Sequence, residues 1–149
     1  MKDKLKNLLF FSYLPHGQMD KIMSYFETLE LSSGEILFNE EDDGDYVCFI
    51  ISGSLEVIKM TSWRNFTTVI ATLYEGSCIG EMALIDHSPR SATIRAHEDT
   101  KLAVLTQRAF DVMVGSEPEL GVNILKGLAQ TLSDNLRSTT DKLADEVAA

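Results

Sequence analysis

The stretch IGEMALIDHSPRSATIRA places two oppositely charged side chains, Glu81 and Arg90, nine residues apart among small residues. Arg90 carries a planar fork of N–H donors that matches a phosphate group, and Ser91 adds a hydroxyl donor beside it. Pro89 fixes its own backbone and makes the approach to Arg90 rigid. Gly80 has no side chain, so the backbone can pass close to a ligand there. These residue types indicate an anion site suited to a phosphate.

Glu81 cannot contact the same phosphate without repulsion, but its carboxylate can accept a hydrogen bond from a sugar hydroxyl. The residues EMAL can form one helical turn, in which the amides of Met82 and Ala83 would point toward an anion. The pattern therefore predicts a ligand about one nucleotide long, with a sugar at one end and a phosphate at the other. For the two charged residues taken alone, a surface ion pair worth ~0–1 kcal/mol is the simpler interpretation.

No arrangement of residues predicts catalysis or a metal site. The motifs of serine hydrolases, P-loop proteins and zinc metalloproteases are absent from the sequence. His16, His87 and His97 are scattered, without a second ligand at metal spacing. The acidic run 40–45 is predicted to be a solvated turn, because Ile50 stands where a calcium loop needs its glutamate. We therefore expect no enzyme activity, no metal and no cofactor.

Composition excludes several classes of protein. The 149 residues fit a single domain over 1–149, and 44% of them are hydrophobic, as in ordinary globular proteins. The formal charge of -10 at pH 7 argues against nucleic acid binding and requires a local pocket for any anionic ligand. No stretch approaches the ~20 apolar residues of a membrane span, and the N-terminal run has no signal-peptide cleavage site. With Cys48 and Cys78 predicted to be buried free thiols, a cytoplasmic protein is expected.

Apolar periodicity divides the chain into three zones. A zone of N-terminal helices is predicted over 1–32, because apolar residues as far as Leu29 recur at helical spacing. Short β-rich runs separated by turns follow over 33–106, and they predict an antiparallel sandwich or barrel. Within this zone, residues 52–54 and 98–99 are each predicted to close a tight hairpin.

The third zone, 107–149, returns to helical periodicity, with a short helix followed by a long one that begins at Glu117-Pro118. Thr140 interrupts an apolar stripe along the long helix, whose members are Leu125, Leu128, Leu132, Leu136, Leu143 and Val147. The end of this stripe extends beyond what a small β-domain could cover, so we expect residues 120–147 to form a homodimer. The alternative is an amphipathic helix that lies on its own sheet.

Two segments resemble the cyclic nucleotide-binding domain family. The sequences GEMAL, from Gly80, and PRSAT, from Pro89, are similar to the phosphate-binding cassette of that family, which would occupy 80–93. The earlier run GEILFNEEDDGDYVCFIISGSLEVIK, from Gly34, resembles its first strands, and the final helix also matches. The resemblance implies a mainly β fold. Its centre would be an antiparallel β-roll (a double-stranded β-helix or jelly roll), with N-terminal helices, a short phosphate-binding helix and a long C-terminal helix.

The resemblance also implies a role for each cassette residue. Glu81 would accept a hydrogen bond from the ribose 2′-hydroxyl, and Arg90 with Ser91 would hold the cyclic phosphate. Gly80 and the amides of Met82–Ala83 would line the pocket. Because cGMP-preferring sites often carry threonine where this chain has Ser91, the resemblance favours cAMP as the ligand.

In bacterial members of the family, two adjacent hydroxyl residues on the long helix contact the adenine, one of them from the partner subunit. The resemblance assigns these positions to Thr139 and Thr140. It implies a non-enzymatic cAMP sensor that transmits ligand occupancy through its long helix to an effector protein. The helix-turn-helix DNA-binding domain that follows in the bacterial members is not expected in this chain.

Two alternatives to a cAMP sensor stay open. The first is a degenerate cyclic nucleotide-binding fold kept as a dimerisation or docking module, although the intact Glu81 and Arg90 argue against it. The second is a sensor of another small effector, such as a cyclic dinucleotide. An iron–sulfur cluster is disfavoured, because two cysteines cannot supply four thiolates.

Overall fold

The computed structural model describes residues 16–61 and 66–148. After a 3-10 turn at His16–Gln18, the helices are α1 Met19–Met23, α2 Glu81–Asp86, α3 Gln107–Ser116 and α4 Pro118–Ala148. The strands are β1 Glu27–Leu31, β2 Ile36–Phe38, β3 Tyr46–Ser52, β4 Ser54–Met60, β5 Thr67–Tyr74, β6 Cys78–Ile79, β7 Thr93–Ala96 and β8 Thr100–Thr106.

The strands form two four-stranded antiparallel sheets, in the orders β1-β8-β3-β6 and β2-β7-β4-β5. The prediction of an antiparallel β-roll with flanking helices is therefore confirmed. Strand β6 was not predicted, because two residues are too few to show an alternating pattern.

The two predicted hairpins are wrong, because β3 and β4 belong to different sheets, as do β7 and β8. The chain instead changes sheet at two corners that pack on each other. The Thr100 hydroxyl lies 3.2 Å from the amide nitrogen of Ser54, from which it accepts a hydrogen bond, and 3.0 Å from the Ser54 carbonyl oxygen. Gly53 adopts φ of 93°, and a Cβ there would lie 2.5 Å from the Asp99 carbonyl oxygen, so only glycine fits.

Strand β3 explains how the two cores are built, because it is buried on both faces. Val47, Phe49 and Ile51 face a core shared with the helices, which includes buried residues of α1, α3 and α4. Cys48 and Ile50 face a second core between the sheets. Strand β3 therefore lies between the two cores, which explains why its sequence is a continuous apolar run.

The boundary predicted between the N-terminal helices and the β-roll is wrong. Helix α1 ends at Met23, and residues 27–31 form β1, which pairs with β8. Leu29, which was assigned to a helix, is therefore a strand residue opposite Leu102. Its spacing from the preceding apolar residues fits a helix, but pairing with the edge of the sheet determines its conformation. The predicted helical residues before His16 lie outside the described part of the chain.

Helix α4 has two halves with different surroundings. It contains 31 residues, which corresponds to a length of about 46 Å. Leu120, Ile124 and Leu128 are buried against the β-roll, whereas Leu136 and Val147 are 68% and 80% exposed. The predicted stripe is therefore split, because Leu128 packs in the chain's own core. Among the described residues, no helix has the length and hydropathy needed to cross a membrane.

Candidate ligand-binding site

A cavity of 240 Å³ opens between the second sheet, helix α2 and the segment that leads into β7. Its mixed apolar and polar lining is typical of a small-molecule site. All six residues predicted in the cassette line this cavity: Gly80, Glu81, Met82, Ala83, Arg90 and Ser91. The other lining residues are Phe38, Val57, Leu73, Cys78, Ile79, Pro89, Ala92, Ile94 and Asn135.

Arg90 is a buried cation, with 3% of its surface exposed. Its Nη2 donates to the Tyr46 carbonyl at 2.8 Å and its Nη1 to the Gly80 carbonyl at 3.4 Å. Within the described residues, its buried Nε has no hydrogen-bond partner and no ion pair includes its guanidinium. A buried charge without a counter-ion is costly unless a ligand supplies one. The lining therefore contains a donor group suited to an anion.

The acidic turn 40–45 holds the backbone of Arg90 in place. The Arg90 amide donates to the Asp42 carbonyl at 2.8 Å, and the Glu41 amide donates to the Arg90 carbonyl, also at 2.8 Å. Glu41 adopts φ of 73°, the left-handed region that non-glycine residues rarely occupy. The side chains from Glu41 to Asp43 are exposed, as predicted for a solvated turn, and no metal-type cluster of side chains occurs among the described residues. The turn thus supports the site through its backbone.

Two glycines allow the chain to pass close to the Arg90 side chain. Gly80 has φ of 83°, and a Cβ on it would overlap Nη1 of Arg90. A Cβ on Gly44 would lie 2.6 Å from the Cβ of Ala83 and 3.0 Å from Cζ of Arg90. Gly80 was predicted from the need for close approach to a ligand. In the structure, the approach is to the arginine that lines the site.

Glu81 is the first residue of α2 and is partly buried beside Arg90. Burial raises the pKa of its carboxyl group, while a hydrogen bond from its own amide, the charge of Arg90 and a hydrogen bond from the Cys78 thiol oppose this rise. Burial also raises the pKa of Cys78 well above its ordinary value, and the neighbouring Glu81 raises it further. Glu81 and Arg90 therefore lie in one cavity and do not form the surface ion pair of the simpler interpretation.

Ser91 is exposed at the mouth of the cavity, and the contacts that hold its backbone were not predicted. Its carbonyl accepts a hydrogen bond from Nζ of Lys59 at 2.6 Å, and the same ammonium group forms an ion pair with Glu40 at 3.1 Å. Glu40 also accepts a hydrogen bond from the Met60 amide at 3.1 Å. These contacts connect the end of β4 to the acidic turn and to the cassette. They join residues that are distant in the sequence, so no local motif predicts them.

Thr139 and Thr140 are not among the residues that line the cavity. Both are exposed on α4, and their hydroxyls donate to the carbonyls of Asn135 and Leu136 at 2.9 Å. Asn135, one turn earlier in the helix, is the α4 residue in the cavity wall. The structure therefore brings together the predicted phosphate and sugar ends of the site and leaves the two threonines outside it.

Comparison with known proteins shows the family. A family model described as the cyclic nucleotide-binding domain matches residues 28–117. The crystal structure of a cyclic nucleotide-binding domain from Methylobacillus flagellatus superposes with a TM-score of 0.85 at 29% sequence identity, covering 97% of this chain and 80% of that chain. This chain belongs to the cyclic nucleotide-binding domain family, as the cassette predicted.

Relatives of known name contain the same module within longer chains. The cAMP-dependent protein kinase regulatory subunit of Schizosaccharomyces pombe is 31% identical over 116 residues, which are 78% of this chain and 27% of that protein. The cGMP-dependent protein kinase 2 of Mus musculus is 29% identical over 130 residues, 87% of this chain and 17% of that protein. A lysophospholipase of Neosartorya fischeri is 27% identical over 117 residues, covering 78% of this chain and 8% of that protein.

Proposed function

We propose that this chain is a non-enzymatic sensor that binds cAMP in the β-roll cavity. The observation that carries the proposal is Arg90, a buried guanidinium in the cavity lining with a donor nitrogen that no described residue satisfies. A cyclic phosphate would supply both the missing charge and the missing acceptor. Glu81 in the same lining offers the acceptor for a ribose hydroxyl.

The lining supports one orientation of the nucleotide. The phosphate would lie against Arg90 and Ser91, with the backbone of Gly80 and the amides of Met82–Ala83 beside it. The ribose would lie against Glu81. Apolar residues such as Val57 and Leu73 would then contact the purine. A few charge-assisted hydrogen bonds of ~1.5–3 kcal/mol each, together with this apolar contact, suffice for a dissociation constant of ~1 μM.

The choice of cAMP over cGMP rests on Ser91, since cGMP-preferring sites often carry threonine at this position. The identity to the cAMP-dependent kinase subunit of S. pombe is 31%, compared with 29% to the cGMP-dependent kinase of mouse. This difference is small, so the proposed preference for cAMP depends on Ser91 alone.

Isothermal titration calorimetry of the purified chain with cAMP, cGMP and 5′-AMP tests the proposal. We expect a micromolar dissociation constant for cAMP, a weaker one for cGMP, and little binding of 5′-AMP, whose phosphate is not cyclic. If neither cyclic nucleotide binds at ~1 mM, the chain is not a sensor of these ligands, and a docking module or a sensor of another effector takes its place. Tighter binding of cGMP would overturn the selectivity alone.

We further propose that α4 transmits occupancy of the cavity as part of a homodimer. Asn135 lines the cavity and lies where α4 becomes exposed, so a ligand there can contact the helix. Beyond it, Leu136, Leu143 and Val147 are 68%, 59% and 80% exposed and lie on one stripe. A second α4 would cover this stripe and bring a partner's Thr139 or Thr140 toward the purine. Ligand can shift the helix only if it binds the two helix positions with different affinity.

Sedimentation velocity tests the dimer with and without cAMP. We expect a dimer for the parent chain and a monomer for Leu143→Asp, which places a charge in the apolar stripe. Ser138→Asp adds the same charge on the opposite, exposed face of the helix and should remain a dimer. A monomeric parent, or equal behaviour of the two variants, would exclude residues 120–147 as the dimer interface.

A further inference from the structure

Two aromatic rings lie against the guanidinium group of Arg90. Its Cζ is 4.1 Å from the centroid of the Phe38 ring and 4.5 Å from that of the Tyr46 ring. The two rings meet edge to face, with centroids 6.1 Å apart and an interplanar angle of 65°. Arg90 thus lies close to the faces of two half-buried rings, of which Phe38 also lines the cavity.

The chain places these rings at the two ends of the acidic turn. Phe38 is the last residue of β2 and Tyr46 is the first residue of β3, so the turn joins the two sheets around Arg90. The same turn holds the Arg90 backbone through Glu41 and Asp42. One segment therefore fixes both the main chain and the side chain of the arginine.

Aromatic faces carry negative partial charge, and they attract a cation most strongly where water is excluded. Arg90 meets this condition, because it is buried and no described carboxylate pairs with it. The rings cannot replace a phosphate, since they accept no strong hydrogen bond from Nε. They can hold the plane of the guanidinium and leave its remaining donors free.

Burial raises the pKa of Tyr46 to about 12, so its ring stays neutral over the physiological range. A phenolate beside Arg90 would compete with an anionic ligand for the guanidinium. The neutral ring retains the attraction of the aromatic face without introducing that competing charge.

We propose that Phe38 and Tyr46 are positioning residues that orient the guanidinium of Arg90 for an anionic ligand before the ligand arrives. The proposal rests on the proposed cyclic nucleotide site and adds to it two residues outside the 80–93 cassette. An arginine already held in its binding orientation loses less freedom on binding, and this raises affinity without any new contact to the ligand.

Variants that keep or remove a ring test the proposal. Phe38→Leu retains an apolar side chain without an aromatic face, and we expect it to raise the dissociation constant for cAMP about tenfold. Phe38→Tyr retains the face and should stay within about twofold of the parent, as should Tyr46→Phe. Tyr46→Leu removes the other aromatic ring and replaces Phe38→Leu as the test if that variant does not fold. Phe26→Leu is the matched control, because it removes an aromatic ring that packs on Phe49 and does not line the cavity. It should bind cAMP within about twofold of the parent.

A second measurement separates orientation of Arg90 from simple loss of packing. The ¹⁵N relaxation of the Arg90 Nε–H group in the ligand-free protein reports how rigidly the guanidinium is held. We expect increased motion in Phe38→Leu and Tyr46→Leu, and parent-like motion in Phe38→Tyr and in Phe26→Leu. Weaker binding together with a more mobile Nε supports the proposal.

Three results would overturn it. In the first, the parent binds cAMP and the ring-removing variants bind equally well, which leaves the proposed function intact and excludes the role of the rings. In the second, Phe38→Leu weakens binding while Nε stays as rigid as in the parent, or Phe38→Tyr loses as much as Phe38→Leu. In the third, the parent binds no cyclic nucleotide, which removes the proposed function and this inference together.

Discussion

Replacing Arg90 by methionine separates its contribution to ligand binding from its contribution to stability. Methionine keeps much of the length and volume of the side chain and removes the charge. An arginine has five N–H donors, of which Arg90 uses two on the carbonyls of Tyr46 and Gly80. Among the described residues this leaves up to three donors for a ligand, including Nε, which has no partner there. If two of them bind the phosphate, the variant loses ~3–6 kcal/mol of binding free energy, and its dissociation constant rises at least ~100-fold.

The ligand-dependent shift in melting temperature gives the assay. At a cAMP concentration of about 100 times the parent's dissociation constant, binding stabilises the parent by ~2.7 kcal/mol. For a chain of this size that corresponds to a shift of about 5–11 °C. In Arg90→Met, the same concentration is at or below the dissociation constant, so the stabilisation falls to about 0.4 kcal/mol or less and the shift to about 2 °C or less.

The ligand-free stability of Arg90→Met should differ little from that of the parent. The substitution removes two hydrogen bonds to carbonyls and the contacts with two rings, but it also removes the cost of burying a cation that forms no ion pair with any described residue. Arg95→Met is the matched control, because Arg95 is also a β-roll arginine and pairs with Glu56 outside the cavity. It should retain the full shift with cAMP. A full shift in Arg90→Met would refute the assignment of Arg90 to the phosphate.

Three further tests, two of them with a control variant, address other parts of the site and core. Because burial raises the pKa of Glu81, that carboxyl stabilises the fold at low pH and loses this contribution as pH rises. In urea unfolding, the stability advantage of Glu81→Gln over the parent should therefore grow as pH rises above about 4, where an unfolded glutamate begins to ionise. The variant should also bind cAMP more weakly than the parent, because it lacks the carboxylate proposed for the ribose hydroxyl. Glu41→Gly should stabilise the protein by about 1 kcal/mol, since Glu41 has φ of 73°, and Glu40→Gly, which removes side-chain hydrogen bonds, should destabilise it. Leu128→Ala should cost about 2–5 kcal/mol because Leu128 is fully buried, whereas Leu136→Ala, at a 68% exposed position, should change monomer stability by about 0.5 kcal/mol or less.

The cassette could be located from sequence because its residues are close together along the chain. Gly80, Glu81, Arg90 and Ser91 lie within 12 consecutive residues. Their types are compatible with a sugar and a phosphate, and the resemblance to the family's cassette favoured that interpretation over a surface ion pair. The residues that hold Arg90 could not be found in this way, since Phe38 and Tyr46 lie 52 and 44 positions before it. Apolar aromatic residues in strands are ordinary core residues, and only the topology shows that these two face a guanidinium.

The errors in the predicted fold have the same origin. A glycine at position 53 between two β-rich runs fits a hairpin, and nothing local distinguishes a hairpin from a corner that changes sheet. The corner forms because residues 52–54 pack against residues 98–100, which are far away in the sequence. Similarly, the spacing of Leu29 fits a helix until β8 provides an edge for β1. In both places the local structure depends on contacts between residues far apart in the chain, which a single sequence does not show.

Because the chain as a whole is acidic, binding of an anion depends on the buried position of Arg90. At a formal charge of -10, the molecule as a whole repels an anionic ligand. Exposed acids such as those of the turn at 40–45 act through water and are screened over ~8–10 Å at physiological salt. A contact of 4 Å with a partly buried cation is worth ~4 kcal/mol at an effective dielectric constant of 20, compared with ~1 kcal/mol in water. One buried guanidinium, supported by two aromatic rings and two carbonyls, can therefore outweigh the acidic surface, provided that its orientation is fixed before the phosphate enters.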